Sequence, residues 1–364
     1  MNRKTTMAAA CATLMLVTTG ALAQVPAGYP ADYQKIIDAA KKEGKLVVYS
    51  ATDSKASAPL IKDFSAMYPG ISVEYNDMNS TEVYNRFISE VAAGGNTADS
   101  VWSSSMDLQM RLASDGYALK YKSVESGKLP AWALWDDQVY GTTFEPAVIV
   151  YNKRLLDPKE VPQNHADFAK LIQQPKFKDK VTTYDIEKSG VGFMFMSQDS
   201  MHYPQFPALL SAFGVAKVRV QSSTGTMMER ISSGENLIGY NVIGSYALVR
   251  AKIDPSIGVV MPKDYTLIMS RVLFINKKAK NPNAAKLWTD YLLSKRGQTI
   301  IANDSKLFAI REDVVGETTS SDLIKQIGKD SVKPVPVNPS LLGYLAPAKR
   351  MAFLKQWKDT AGKK

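Results

Sequence analysis

Glu43-Gly44-Lys45-Leu46-Val47-Val48-Tyr49-Ser50 is the stretch on which the fold turns. Leu46 to Tyr49 is an unbroken apolar run, the pattern of a short strand buried on both faces, as in a parallel sheet. Upstream, Asp32 to Lys42 sets Tyr33, Ile36, Ile37 and Ala40 on one helical face, and Glu43-Gly44 breaks that helix. Downstream, Ser50 to Ser54 is small and polar. Pro59 to Tyr68 then carries Leu60, Ile61, Phe64 and Met67 at helical spacing, and Pro69-Gly70 stops it. Ile71 to Tyr75 alternates as a second strand. The unit repeats. Asn79, with Glu82 three residues on, has the spacing of a capping box before a helix bearing Val83, Phe87, Ile88 and Val91. Ser100-Val101-Trp102 is a third short strand, followed by Ser103-Ser104-Ser105 and another helix. Strand-loop-helix units in series predict a parallel sheet covered by helices.

Further out, Val139 to Tyr151 holds two extended runs around Gly141. Asn283 to Leu293 is an amphipathic helix with Ala284, Leu287, Trp288, Tyr291 and Leu292 inward. At the N-terminus Arg3 and Lys4 precede an apolar run, Met7 to Val17, and then Ala21-Leu22-Ala23. That is the grammar of a secretory signal peptide cleaved after Ala23, which predicts a mature chain starting at Gln24 in the periplasm. The one cysteine, Cys11, falls inside the leader, so the mature chain has no disulfide, thiolate metal site or cysteine nucleophile. The 364 residues are enough for two domains. The formal net charge of +10 is spread along the chain without a basic, aromatic-interleaved stripe, which argues against nucleic acid as a partner.

These stretches resemble the type 2 periplasmic binding proteins, the family 1 extracellular solute-binding proteins of ABC importers, in their ferric-binding-protein-like branch. The resemblance rests on residues 43–50, Phe64 to Val73, Ala98-Asp99-Ser100-Val101-Trp102, Val150-Tyr151-Asn152-Lys153, Asn281 to Lys286, and Leu293 to Gln298, in that order. It implies an α/β fold of two lobes, each a mainly parallel sheet flanked by helices, joined by two crossover strands near residues 141–148 and 265–272. The first lobe is then expected over residues 24–144 and 269–315. The second takes residues 145–268, with a C-terminal segment, 316–364, packing on it. The implied partners are a small ligand in the cleft and the permease subunits of an inner-membrane importer. The chain is expected to act as a monomer, without a cofactor.

The residues offer little for catalysis. The two histidines, His165 and His202, are isolated, and His165 sits in a turn-like stretch suited to a cap or a surface position. No nucleophile elbow, phosphate loop or dinucleotide fingerprint is present. Binding loops are better represented. Ligands of open parallel sheets lie off the carboxyl ends of the strands. The candidates there are Thr52, Asp53 and Ser54, then Asn79 and Ser80, then Ser103 and Ser104. Each loop precedes a helix, whose free N–H groups suit an anion, although the same residues are preferred as ordinary caps. Thr142 lies at the first crossover. From the other lobe come Ser189 and Gly190, Thr224, and Tyr240, Asn241, Ser245 and Tyr246. In ferric-binding relatives the last stretch ends in two adjacent tyrosines; here it reads Ser245-Tyr246, so no metal site is expected. The ligand class expected is a small organic anion: a carboxylate, a phosphonate or a phosphate ester. Ferric iron with a synergistic anion and a secreted enzyme on the same fold are the alternatives.

Overall fold

The computed structural model describes residues 25–362; the leader and its cleavage site lie outside the described residues. Two sheets organise the chain. In order, the strands are β1 (Lys45–Ser50), β2 (Ser72–Asp77), β3 (Ser100–Ser103), β4 (Leu134–Trp135), β5 (Val139–Gly141), β6 (Glu145–Asn152) and β7 (Val181–Tyr184). They continue as β8 (Arg219–Gln221), β9 (Ile238–Ile243), β10 (Ile257–Val260), β11 (Thr266–Met269), β12 (Val272–Ile275) and β13 (Val332–Pro334). The first sheet has the order β2-β1-β3-β12-β5-β4 and the second β13-β11-β6-β9-β7-β8, with β10 on the side of β6.

The two-lobed α/β architecture is the one expected, but the sheets are mixed rather than mainly parallel. Each contains one parallel trio, β2-β1-β3 or β9-β7-β8. Of the strands that enter from the other lobe, β12 runs antiparallel to β3 and β5 and β6 antiparallel to β9 and β11, while β13 lies parallel to β11 at the sheet edge. The mixture follows from the connectivity, because a strand returning across the hinge arrives from the end at which the trio leaves.

The chain passes between sheets at residues 142–144 and again at residues 270–271. It passes a third time after β12, since β13 pairs with β11 in the second sheet. Thr143 and Ala309 form an isolated bridge, as do Ala309 and Thr319, so the third passage runs beside the first. Beyond β13, a 3-10 turn at Pro339–Tyr344 packs on the first-lobe helix Met106–Ser114. The final helix, Pro347–Thr360, packs on the second-lobe helix Phe206–Val215. The C-terminal segment therefore touches both lobes.

Burial follows the sequence pattern. Tyr33, Ile37, Leu60, Phe64, Trp288 and Leu292 cover one face of the first sheet, with the Phe64 and Trp288 rings edge to face at 5.2 Å. Val83, Phe87 and Met110 cover the other. Asn79 accepts from the Thr81 and Glu82 amides while Glu82 reaches back to the Asn79 amide, which completes the capping box. The helix expected from Pro59 begins five residues earlier and spans Ser54–Met67, with Pro59 inside it. His165 is not at the surface. It is buried at the start of the helix His165–Leu171, stacked on Tyr265 at 4.1 Å, with Nδ1 2.9 Å from Asp264.

Candidate functional site

The two parallel trios aim their carboxyl ends at the same gap, and every trio strand is followed by a helix. In the first lobe the helices are Ser54–Met67, Ser80–Ala92 and Met106–Ser114; in the second they are Gly190–His202, Thr224–Ser233 and Gly244–Ile253. Six helix starts thus border the cleft, each with N–H groups that the helix itself leaves free. Some are capped internally. Ser189 Oγ accepts from the Gly192 amide at 3.3 Å, and Ser223 Oγ from the Thr226 amide at 3.2 Å. The helices starting at Ser54, Met106 and Gly244 have no side-chain cap.

A cavity of about 220 Å³ lies between the lobes. From the first lobe Asp53, Asp77, Asn79, Ser80 and Ser104 line it; from the second, Tyr184, Ser189, Ser222, Ser223, Thr224, Gly225 and Tyr246 do, with Ala51, Met78, Val191 and Ile243 supplying the apolar wall. Burial, partly opposed by the nearby Arg271 guanidinium, pushes the Asp53 carboxyl above its usual range. Ser54 donates to Asp77 Oδ2 through its amide at 2.7 Å and its hydroxyl at 3.0 Å. Tyr184 and Thr224 are hydrogen-bonded through their hydroxyls.

Direct contacts between lobes flank the cavity. The Gly190 amide donates to Thr81 Oγ1 at 2.9 Å and the Val191 amide to Ser80 Oγ at 3.2 Å. The Asp53 amide donates to the Tyr246 hydroxyl at 3.2 Å. At the hinge, Arg271 and Glu145 form an ion pair at 2.6 Å with both side chains wholly buried. Arg271 also donates to the Ala51 carbonyl and to Thr52 Oγ1, and it lies 5.1 Å from the centre of the Tyr246 ring. Glu145 in turn accepts from Thr143 and Ser245. Burial works against the guanidinium charge, but Glu145, Tyr246 and Asp53 together more than offset it, so the Arg271 pKa lies above its ordinary value. Burial is also what raises the Tyr246 phenol.

Of the residues singled out from sequence, Asp53, Asn79, Ser80, Ser104, Ser189, Thr224 and Tyr246 meet at this cavity. The rest are placed elsewhere. Ser54, the first residue of its helix, is tied to Asp77 through its amide and hydroxyl. Ser103 Oγ accepts from the Ser105 amide. Thr142 sits in the first crossover, accepting from Trp102 Nε1 and donating to the Arg271 carbonyl, both at 2.8 Å. Thr52 and Ser245 belong to the Arg271–Glu145 network, and Gly190 to the interlobe bonds. Tyr240 and Asn241 lie inside the second lobe and donate to the buried Asp199, which also accepts from Tyr265. Asp77, Tyr184, Ser222 and Ser223 line the cavity without having been singled out as contacts. Tyr184 had no signal beyond ending the β7 run; Ser222 and Ser223 had the same cap-like look as Thr224.

Among the described residues no group of three or more His, Cys, Asp or Glu side chains is gathered as if for a metal ion, and no helix is long and apolar enough to cross a membrane. The substrate-binding protein of an ABC transporter from Agrobacterium tumefaciens is 39% identical; the match covers 87% of this chain and 94% of that one, with a TM-score of 0.83. AfuA from Actinobacillus pleuropneumoniae, solved with exogenous fructose-6-phosphate, shares the fold at 19% identity, 88% and 99% coverage and a TM-score of 0.72. Iron-bound HitA from Pseudomonas aeruginosa does so at 17% identity, 87% and 99% coverage and 0.69. The family model described as bacterial extracellular solute-binding protein matches residues 59–326, and with this two-lobed cleft the chain belongs to that family.

Proposed function

We propose that this chain is the periplasmic substrate-binding component of an ABC importer, and that it captures a small organic anion between its lobes. The observation that carries the reading is the convergence on one cavity of about 220 Å³ of helix starts from both lobes, edged by hydroxyl groups. Free N–H groups and the positive ends of helix dipoles favour a carboxylate, phosphonate or phosphate ester. The likeness to the Agrobacterium protein supports inner-membrane permease subunits as the recipients of the ligand. Ferric iron fits less well. Ser245 is committed to Glu145, and the half-buried Tyr246 phenol, its pKa raised, lies against Arg271.

Ligand contacts drawn from both lobes stabilise the closed arrangement over the open one, so binding and closure are one equilibrium. The test is a thermal-shift screen of the mature protein against organic acids, phosphonates, phosphate esters and ferric salts. A tight ligand at a hundred times its Kd stabilises the native state by about 2.7 kcal/mol. A shift with ferric salt alone, together with visible absorption lost in Tyr246→Phe, would reverse the reading.

A further inference from the structure

The cavity is polarised across the cleft. On the first-lobe side its charged groups are two carboxylates, Asp53 and Asp77. On the second-lobe side it has the starts of two helices, at Thr224 and Gly244, and the hydroxyls of Ser189, Ser222, Ser223 and Thr224, while the amides that open the Gly190 helix are spent on Thr81, Ser80 and Ser189. No Lys or Arg is among the lining residues. The buried cation nearest to them, Arg271, is already neutralised by Glu145. A purely anionic ligand satisfies the second lobe and meets like charge on the first. Ser104 is a separate observation at the same place. It is 3% exposed and lines the cavity on the carboxylate side, and its hydroxyl has no hydrogen-bond partner among the described residues.

Resting on the anion reading above, we propose that the ligand is bipolar: an acid head held by the second-lobe helix starts, and a primary ammonium held by Asp53 and Asp77, with Ser104 Oγ accepting beside them. Asp77 is suited to this. Its Oδ2 is taken by Ser54, while Oδ1 has no partner among the described residues. An ammonium donates three hydrogen bonds and accepts none, which matches carboxylate oxygens and a hydroxyl. Asp53 and Asp77 are both exposed, so an ammonium held there keeps contact with solvent. A bipolar ligand engages one lobe with each end, and so adds to the direct interlobe bonds in favouring the closed arrangement.

The experiment is calorimetric titration of the mature protein with matched probes: O-phosphoethanolamine, ethyl phosphate and ethanolamine, and 4-aminobutyrate against butyrate. The amino acid member of at least one pair is expected to bind about tenfold or more tightly than its acid-only partner, the effect of one charge-assisted hydrogen bond. Asp53→Asn, which makes no side-chain cap in the native helix, is expected to shrink that preference toward one. Equal affinity within both pairs, with binding otherwise tight, overturns the bipolar ligand and leaves the anion reading standing. Ethanolamine binding as tightly as O-phosphoethanolamine overturns the anion reading instead. Binding by none of the five overturns both.

Discussion

Gly190 is the position at which one methyl group should separate folding from closure. It opens the helix Gly190–His202, and its backbone has no positive φ, so alanine fits the local conformation. A Cβ there would lie 2.3 Å from Ser105 Oγ, 2.8 Å from Leu108 Cδ1 and 3.2 Å from Ser105 Cβ, all in the first lobe. The Ser105 hydroxyl and the Leu108 methyl can rotate aside at some cost in packing, but Ser105 Cβ cannot, so full relief also requires the lobes to ease apart by a few tenths of an ångström. Parting them strains or breaks the Gly190–Thr81 and Val191–Ser80 bonds, each worth roughly 0.5–1.5 kcal/mol. Overpacking adds roughly 1–3 kcal/mol. Closure therefore loses about 2–6 kcal/mol, and at 1.4 kcal/mol per factor of ten affinity falls at least about 25-fold. The open state should be untouched, because alanine is the better helix former. The assay pairs calorimetric affinity for the tightest probe with solution scattering of the ligand complex and a melt of the unligated protein. Adding Ser105→Gly should restore part of the affinity. Full affinity and ligand-induced compaction in Gly190→Ala would refute the argument that this interface must close to bind.

Two further outcomes follow from buried charge. Glu145→Gln leaves Arg271 buried without its carboxylate and should destabilise the protein by about 3–5 kcal/mol in chemical denaturation, whereas replacing both residues with apolar ones of similar volume should recover much of that loss. Asp107 faces a second interlobe cavity with Arg350 and Glu187, makes no ion pair among the described residues, and is pushed by burial from 3.8 to about 7. The folded state then holds a proton that the unfolded state releases, so this group's contribution is greatest below about pH 4 and is lost as pH rises to about 7. Asp107→Asn should accordingly be more stable than wild type at pH 8, by up to about 4 kcal/mol at 1.36 kcal/mol per unit, and should converge with it near pH 4. Parallel pH profiles for the two proteins would remove Asp107 as the cause.

What was legible in the sequence was local. The Leu46–Tyr49 run, the Asn79–Glu82 spacing and the helix led by Asn281-Pro282 each declare themselves within a dozen residues, and each is present. Cap-like loops located about half of the cavity wall for the same reason, since in the strand-loop-helix units each helix start follows the end of a strand. The helix at Ser54 was read short because Pro59 has the look of a first-turn residue, and here it is tolerated inside. Tyr240 could not be placed, because β9 is buried on both faces and alternation no longer tells cleft from interior. The Arg271–Glu145 pair was out of reach: the partners are 126 residues apart, and only the two crossovers bring them together. The mixed pairing of the sheets was hidden likewise, since strand direction across a hinge is a property of topology and not of any local pattern.

All three passages between the sheets run together on one side of the cleft, at Thr143, at Ser270-Arg271 and beside Ala309 and Thr319. A door hung on three pins in line can swing but cannot slide or twist. Arg271 donates its amide to Thr143 and its carbonyl accepts from Thr142, so two of the pins are also fastened to each other. The swing is thereby confined to nearly one degree of freedom, and displacement grows with distance from the pins. The Thr81–Gly190 contact acts as the latch of that door: a weak fastening there gains leverage over the whole second lobe. The lobes should therefore meet in one register every time they close, and two modest hydrogen bonds at the latch can set the balance between open and shut.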